Sequence, residues 1–402
     1  MSAITRSGEV AVVGGGIAGA TIAWELARRG VDVTLYEAAV IGTGASGRNT
    51  GTLLHQVEPE VATMLRESMP AYEELLRGPI DFEWRECPEL LLARDEDQLR
   101  FMETKAATLV EQGIHVEKLT AAEMRSEMPQ LSERLAGGAV LHGTYLLDAN
   151  SSLHAVVDAA RAEGAKIRTH TRVAQLAVRD GRLHGLVTDD GRLPVDAVVV
   201  ATGPWFTELV PTAHVKAGRG WLMRSAVASF TVPWVIEEAS WPDQVLLGRA
   251  GAPQPLEEVA EGGNDTPVAE SFVIAPQPNG QALLGASLST SLRDAVEGIR
   301  VPEQVARRAL EIAPGLAKDL RITRAWSGLR PMTPDGLPLV GQADVDGLWF
   351  HGGHASLGMQ AAPATAKWLA EQMTTGTSHA VLARLAPNRF DGTPDVPGQE
   401  SS

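Results

Sequence analysis

Hydrophobic and polar positions change rhythm along the chain, and each change marks an element. Glu9 to Val13 read as a short buried strand that runs into Gly14-Gly15-Gly16-Ile17-Ala18-Gly19. Ala20, Ile22, Ala23, Leu26 and Ala27 then recur at helical spacing, and Gly30 stands where the residue after a helix C-cap belongs. Val31, Val33 and Leu35 supply the next strand, which ends at Glu37. The stretch is a complete β-α-β unit in about 30 residues.

Further on, Val61, Leu65, Met69, Tyr72 and Leu76 predict an amphipathic helix. A second is expected over Gln98 to Gln112, and a third over Ser152 to Glu163 with Gly164 after it. From Thr171 to Ala201 the period falls to two, with Asp180-Gly181 and Asp190-Gly191 as turn signals. That predicts a three-stranded meander ending in the apolar strand Ala197 to Ala201. Arg249 to Glu270 is rich in glycine, proline and acid and lacks periodicity, which predicts a surface insertion, with a lid as the alternative. Pro302 at a helix start and Pro314 beyond its end bracket a helix carrying Val305, Ala309 and Leu310. Ala361 to Met373 reads as the last helix, and Pro387 to Ser402 as a disordered tail.

Composition narrows the class. At 402 residues and 44% hydrophobic content, the chain can build two or three domains or one large discontinuous fold. Lysine and arginine total 35 against 50 acids, a net charge of −15, which disfavours nucleic acid and anionic lipid as partners. One cysteine, Cys87, excludes an intramolecular disulfide, a Cys-x-x-Cys pair and any multi-cysteine metal site, and such a chain fits the cytoplasm. No apolar run reaches the 18 residues of a membrane span. The apolar stretch Val10 to Trp24 does not read as a leader either, because Arg6 is balanced by Glu9 and no small-residue cleavage site follows.

The glycines carry the first chemistry. Gly14, Gly16 and Gly19 match G-x-G-x-x-G between a strand and a helix, where they allow a tight turn, close pyrophosphate approach and helix–strand packing. Ile17 and Ala18 open that helix, whose free N–H groups attract phosphate. Glu37, about 20 residues on, is placed to accept ribose hydroxyl hydrogen bonds and would repel a 2′-phosphate. An adenine dinucleotide is expected; these residues alone leave FAD and NAD both open.

Four segments then resemble the D-amino-acid oxidase superfamily of flavoproteins, particularly its glycine oxidase and sarcosine oxidase branch. The first is the β-α-β unit. The second, Gly42 to Gly51, is similar to the family's small-residue loop along the flavin pyrophosphate and ring, and brings in Ala45, Ser46, Arg48, Asn49, Thr50 and Gly51. The third, Ala201-Thr202-Gly203-Pro204-Trp205, resembles the family's A-T-G-x-W return to the nucleotide, with Val173 near adenine by the same likeness. The fourth is a pair: Gly328-Leu329-Arg330-Pro331-Met332-Thr333-Pro334-Asp335-Gly336, then Gly352-Gly353-His354-Ala355-Ser356-Leu357-Gly358 followed by Met359. The second of the pair precedes the last helix, whose start would face the flavin pyrimidine and stabilise its reduced anion. Disulfide reductases, aromatic hydroxylases and monoamine-oxidase-like proteins fit worse, for want of paired cysteines, a G-D-A-type segment and a G-G-R element.

The resemblance implies non-covalent FAD, since Cys87 lies far in sequence from the C-terminal flavin segments. It also implies oxidation of a C–N bond by hydride transfer to flavin N5, giving an imine. Arg330 aligns with the family's carboxylate-binding arginine, as a bidentate guanidinium suits; pairing with an internal acid such as Asp335 is the alternative. His354 and His55 are further catalytic candidates, with Gln56 beside the latter. Trp221 is a candidate pocket wall, or else core. Two positions depart from the likeness. Ala355, Ser356 and Leu357 stand where the glycine oxidase branch often has an arginine, and no lysine matches the one sarcosine oxidases use for oxygen.

The expected fold is α/β. A discontinuous Rossmann-type FAD-binding domain (residues 1–77, 146–217 and 325–386) is joined by a mixed-sheet α+β substrate domain (78–145 and 218–324). The expected activity is oxidation of a small amino acid or secondary amine, with oxygen or an electron carrier as acceptor. Oxidation of a 2-hydroxy acid, or service as the flavin subunit of a larger complex, are the alternatives.

Overall fold

Val10-Ala11-Val12-Val13 is apolar at every position because both faces of its strand are covered. Val10 and Val12 pack into a helical layer with Trp24, Tyr72 and Trp368, whereas Ala11 and Val13 pack against Val173, Leu176, Leu183 and Leu186 on the other side. The computed structural model describes residues 8–228, 230–239, 269–289 and 294–390. Among these, the strands form four sheets.

A six-stranded sheet runs in the order Leu339–Gln342, Leu348–Gly352, Ala197–Val200, Glu9–Val13, Asp32–Tyr36, Lys166–Arg168, parallel except at its first strand. The helix Ile17–Ala27 packs between Gly358–Thr375 and Ala149–Ala162, which brings the first and last helices of the nucleotide motif side by side. An eight-stranded sheet is ordered Ile322–Met332, Lys216–Ser225, Ala282–Leu288, Ala269–Pro276, Val235–Glu238, Glu89–Ala93, Gly137–Leu141, Val116–Leu119. Its back face buries Trp221, Met223, Ile236, Ile274 and Leu284 under the helix Asp294–Ile312. The front face carries Leu222, Glu237 and Val273 toward a cavity.

Several local expectations are corrected. The meander holds Val173–Arg179, Arg182–Thr188 and Gly191–Leu193, but Ala197–Val200 leaves it for the centre of the six-stranded sheet. An apolar run suits a strand buried on both faces better than the edge of a meander. Pro302 lies inside the helix Asp294–Ile312 rather than at its start, because Val301, Val305, Ala309 and Ile312 together bury a stripe against the sheet. That burial outweighs the roughly 3 kcal/mol an internal proline costs.

The C-terminal helix begins at Gly358, three residues earlier than expected, and a short helix Leu382–Leu385 follows it. Pro363 within it donates no N–H to the Met359 carbonyl, and the Tyr72 hydroxyl donates there instead. The expected tail is ordered as far as Phe390: Arg389 pairs with Asp335 at 2.8 Å, and Phe390 packs into the core. The remaining tail, and the expected insertion up to residue 268, lie outside the described residues, while Ala269 and Glu270 already belong to a strand.

Candidate active site

One cavity of about 730 Å³ runs from Glu37, past the glycine turn and the Gly42–Gly51 loop, to the front face of the eight-stranded sheet. At the nucleotide end, the turn is built by backbone. Gly14 has φ of +112°, and a Cβ there would collide with the Ala201 carbonyl. Glu37 is held by two backbone donors, Gly15 N–H at 2.7 Å and Ala39 N–H at 2.8 Å. Its carboxylate therefore arrives oriented at the cavity wall. Ser46 Oγ accepts from Ile17 N–H at 2.9 Å, fixing the loop to the helix start.

Gly16, Ile17, Ala18, Ala45, Arg48 and Thr50 line this stretch, with Val173 at one side and Thr202, Gly203 and Trp205 at the other. Gly19, Gly51, Ala201 and Gly353 do not line it; they pack directly behind. Asn49 is on the wall, yet its amide is spent on the carbonyls of Ala45 and Ser46 and its oxygen on Gly51 N–H. It shapes the loop rather than offering a donor. Arg48 reaches the Ser327 carbonyl at 3.1 Å and so ties the loop to the strand of Arg330.

At the middle of the cavity, Ser356, Leu357, Gly358 and Met359 open the C-terminal helix, and no side chain caps that start. Its free N–H groups make it an anion site. Two buried polar atoms on the wall, Thr202 Oγ1 and Gln360 Nε2, have no hydrogen-bond partner among the described residues. Buried polar groups nearly always have one, so the two stand out as unsatisfied beside the cavity. Gln360 Oε1 meanwhile accepts from Leu54 N–H at 3.2 Å. These features fit a dinucleotide with a polar ring system lying along the cavity.

The two candidate histidines are placed differently. His55 is not on the cavity wall; its Nε2 meets the His142 carbonyl at 2.9 Å, and burial holds the ring below its usual range. His354 lines the cavity, but its Nε2 turns to Thr365 Oγ1 at 3.1 Å, shared with His351 at 2.9 Å. Burial pushes His351 down to about 4, and burial together with His351 pushes His354 well down. Both rings are neutral at pH 7 and brace the helix start. Trp221 belongs to the back-face core.

Arg330 sits on the cavity wall with Nη1 donating to the Ser287 carbonyl at 2.9 Å. Its guanidinium lies where a Cβ on residue 220 would be, so Gly220 makes room for it. Desolvation pushes its pKa down to about 10. No carboxylate among the described residues pairs with it, and Asp335 is taken by Arg389. Sequence reasoning missed Gln360, Arg219 and Glu237. Arg219 lines the cavity and donates to Ser327 Oγ at 2.8 Å. Its place in Gly218-Arg219-Gly220, two residues before Trp221, was the available signal.

The family described as DAO, FAD dependent oxidoreductase, matches residues 9–372. A glycine oxidase of Geobacillus kaustophilus (strain HTA426) is 28% identical over 400 residues, covering 97% of this chain and 99% of that protein. A D-amino acid dehydrogenase of Vibrio cholerae serotype O1 (strain M66-2) is 28% identical over 340 residues, 82% of this chain and 72% of its own length. The solved structure of glycine oxidase from Geobacillus kaustophilus superimposes with a TM-score of 0.79 at 25% identity, covering 95% of this chain and 99% of that one.

Proposed function

The chain belongs to the DAO family of FAD-dependent oxidoreductases, and from that premise we propose that it oxidises the C–N bond of an amino acid or secondary amine to an imine. The observation that carries the reading is Arg330: a desolvated guanidinium on the cavity wall, bonded to a carbonyl and to no carboxylate among the described residues. A carboxylate entering the cavity would complete it with a bidentate pair. The names of the relatives, glycine oxidase and D-amino acid dehydrogenase, favour a nitrogen compound over a 2-hydroxy acid.

In this reading Glu37 would hold the FAD ribose, Gly16 and Ile17 its pyrophosphate, and the start of Gly358–Thr375 its ring. Bound there, FAD supplies the acceptor for a hydride leaving the substrate carbon. Arg330 fixes the substrate's orientation, so the reacting carbon is presented repeatedly in one geometry. The uncapped N–H groups of Gly358 and Met359 favour negative charge at the ring's edge. His351 and His354 stay neutral and add no positive charge beside the ring. Cys87 is buried beside Leu54 and Val235, off the cavity wall, which supports non-covalent retention, and a lone buried thiol suits a reducing cytoplasm. The FAD-binding part comprises residues 1–77, 146–217 and 325–386. The substrate part comprises 78–145 and 218–324, with the strand Ile322–Met332 running across the last division.

The test is anaerobic addition of amino acids, N-methyl amino acids and 2-hydroxy acids to the yellow protein. Bleaching of the visible flavin band by a nitrogen substrate is expected. Arg330→Lys should raise KM while FAD stays bound. Bleaching by hydroxy acids alone would overturn the choice of bond.

A further inference from the structure

Beyond Arg330, the front face of the eight-stranded sheet places a second charge on the cavity wall. Glu237 is 8% exposed and lines the cavity, and its side-chain carboxyl receives no hydrogen bond from any described residue. Behind it lie Glu89, from the neighbouring strand, and Lys105, from the helix Glu96–Glu111, both buried. The Lys105 ammonium has no hydrogen-bond partner among the described residues, so it acts on both carboxylates through space. Two carboxyls face one ammonium, and burial makes the pair hold on to a proton near neutral pH, so Glu237 has no cation of its own among the described residues. His55, whose ring also feels Lys105, is held neutral by burial and adds no charge to the cluster. We propose that Glu237 is the subsite for a second, cationic group on the substrate, so that amino acids with an ammonium or guanidinium on the side arm are preferred over neutral ones of the same shape. This rests on the reading of Arg330 as the carboxylate holder.

Strand register sets the span. Glu237 pairs with Val273, and Val273 with Gly285, two positions before Ser287, whose carbonyl anchors the Arg330 guanidinium. Two strands across at about 4.8 Å and two residues along at about 3.4 Å separate the two places by about 12 Å. The amino nitrogen and carboxyl carbon of an α-amino acid are only about 2.5 Å apart, too short to serve both poles comfortably. A charge at the end of a side arm reaches farther. Burial pushes Glu237 up to about 7 and Glu89 up to about 8, so an arriving cation would settle Glu237 in its ionised form.

Two measurements on the FAD-loaded full-length protein test this. In the first, 6-aminohexanoate and hexanoate are titrated by their perturbation of the flavin spectrum, a readout independent of turnover. The amine-bearing acid should bind at least tenfold tighter, and Glu237→Gln, with its flavin content unchanged, should bring the ratio near one. Equal binding by the wild type, or a ratio that survives Glu237→Gln, overturns the proposal. In the second, flavin is reduced anaerobically with lysine and norleucine, both enantiomers of each. Preference for lysine that collapses in Glu237→Gln supports it. Equal loss with both substrates in the variant would mean that Glu237 serves the α-amino group, and would refute the proposal. If norleucine alone reduces the flavin, this inference fails and the amine-oxidation reading stands. If no nitrogen substrate reduces it, both fail.

Discussion

The two ends of the cavity solve opposite problems. At the nucleotide end the key side chains are already held by backbone: Glu37 is bonded by Gly15 and Ala39, and Ser46 by Ile17. At the sheet end, Arg330 and Glu237 face the cavity without a partner of opposite charge that is theirs alone among the described residues. The first end is rigid before any ligand arrives. The second keeps its charges available for whatever binds. Substitutions at the nucleotide end should therefore cost structure and cofactor together, whereas those at the sheet end should cost activity and leave stability intact or improved.

The sharpest break of that contrast is Gly14→Val. Backbone strain at φ of +112° and collision with the Ala201 carbonyl together cost about 4 kcal/mol. Soluble yield and flavin per chain should both fall by more than tenfold; a normal yellow variant would contradict the account of the turn. Next comes Arg330→Met at the opposite end. Losing a charge-assisted carboxylate pair costs about 2–5 kcal/mol, so kcat/KM should drop by about 30-fold or more while Tm holds or rises. A variant that loses Tm in step with activity would place Arg330 in the structural framework.

Ser46→Ala returns to the nucleotide end with a smaller effect. The lost cap on Ile17 should lower Tm and weaken FAD retention by about 1 kcal/mol, read by thermal melting and by flavin release on dilution. A further contrast lies in pH. Glu237 and Glu89 bind their protons more tightly folded than unfolded, so their stabilising contribution is present below about 4.5 and fades as pH rises through about 7 to 8. Melting without substrate should drop over that window, and Glu237→Gln should flatten the slope; an unchanged slope argues against the buried cluster. The smallest effect belongs to His55→Gln, expected to keep kcat within about twofold, since the ring faces His142 and not the cavity.

What the sequence made legible follows the same division. Gly14, Gly16, Gly19 and Glu37 are readable because the turn they build is local, and residue type alone fixes its backbone. Arg330 is readable through the motif around it. Glu237 is not, because its neighbours Glu89 and Lys105 come from a strand and a helix more than a hundred residues away, joined only by sheet pairing. His55 follows a flavin-loop motif in sequence, yet chain proximity does not say which way a side chain turns. Pro302 obeys a local rule for helix starts, and tertiary burial of Val301 and Val305 overrides it. The strand Ala197–Val200 is visible as a strand, but its sheet was decided by what covers its two faces.

The most direct test of the central claim is a crystal structure of the FAD-loaded protein soaked with a short carboxylate such as propionate. The account predicts adenosine at Glu37, the ring between the Gly358 helix start and the eight-stranded sheet, and the carboxylate forked on Arg330. A flavin elsewhere, or a carboxylate bound away from an Arg330 that still contacts only protein, would contradict it.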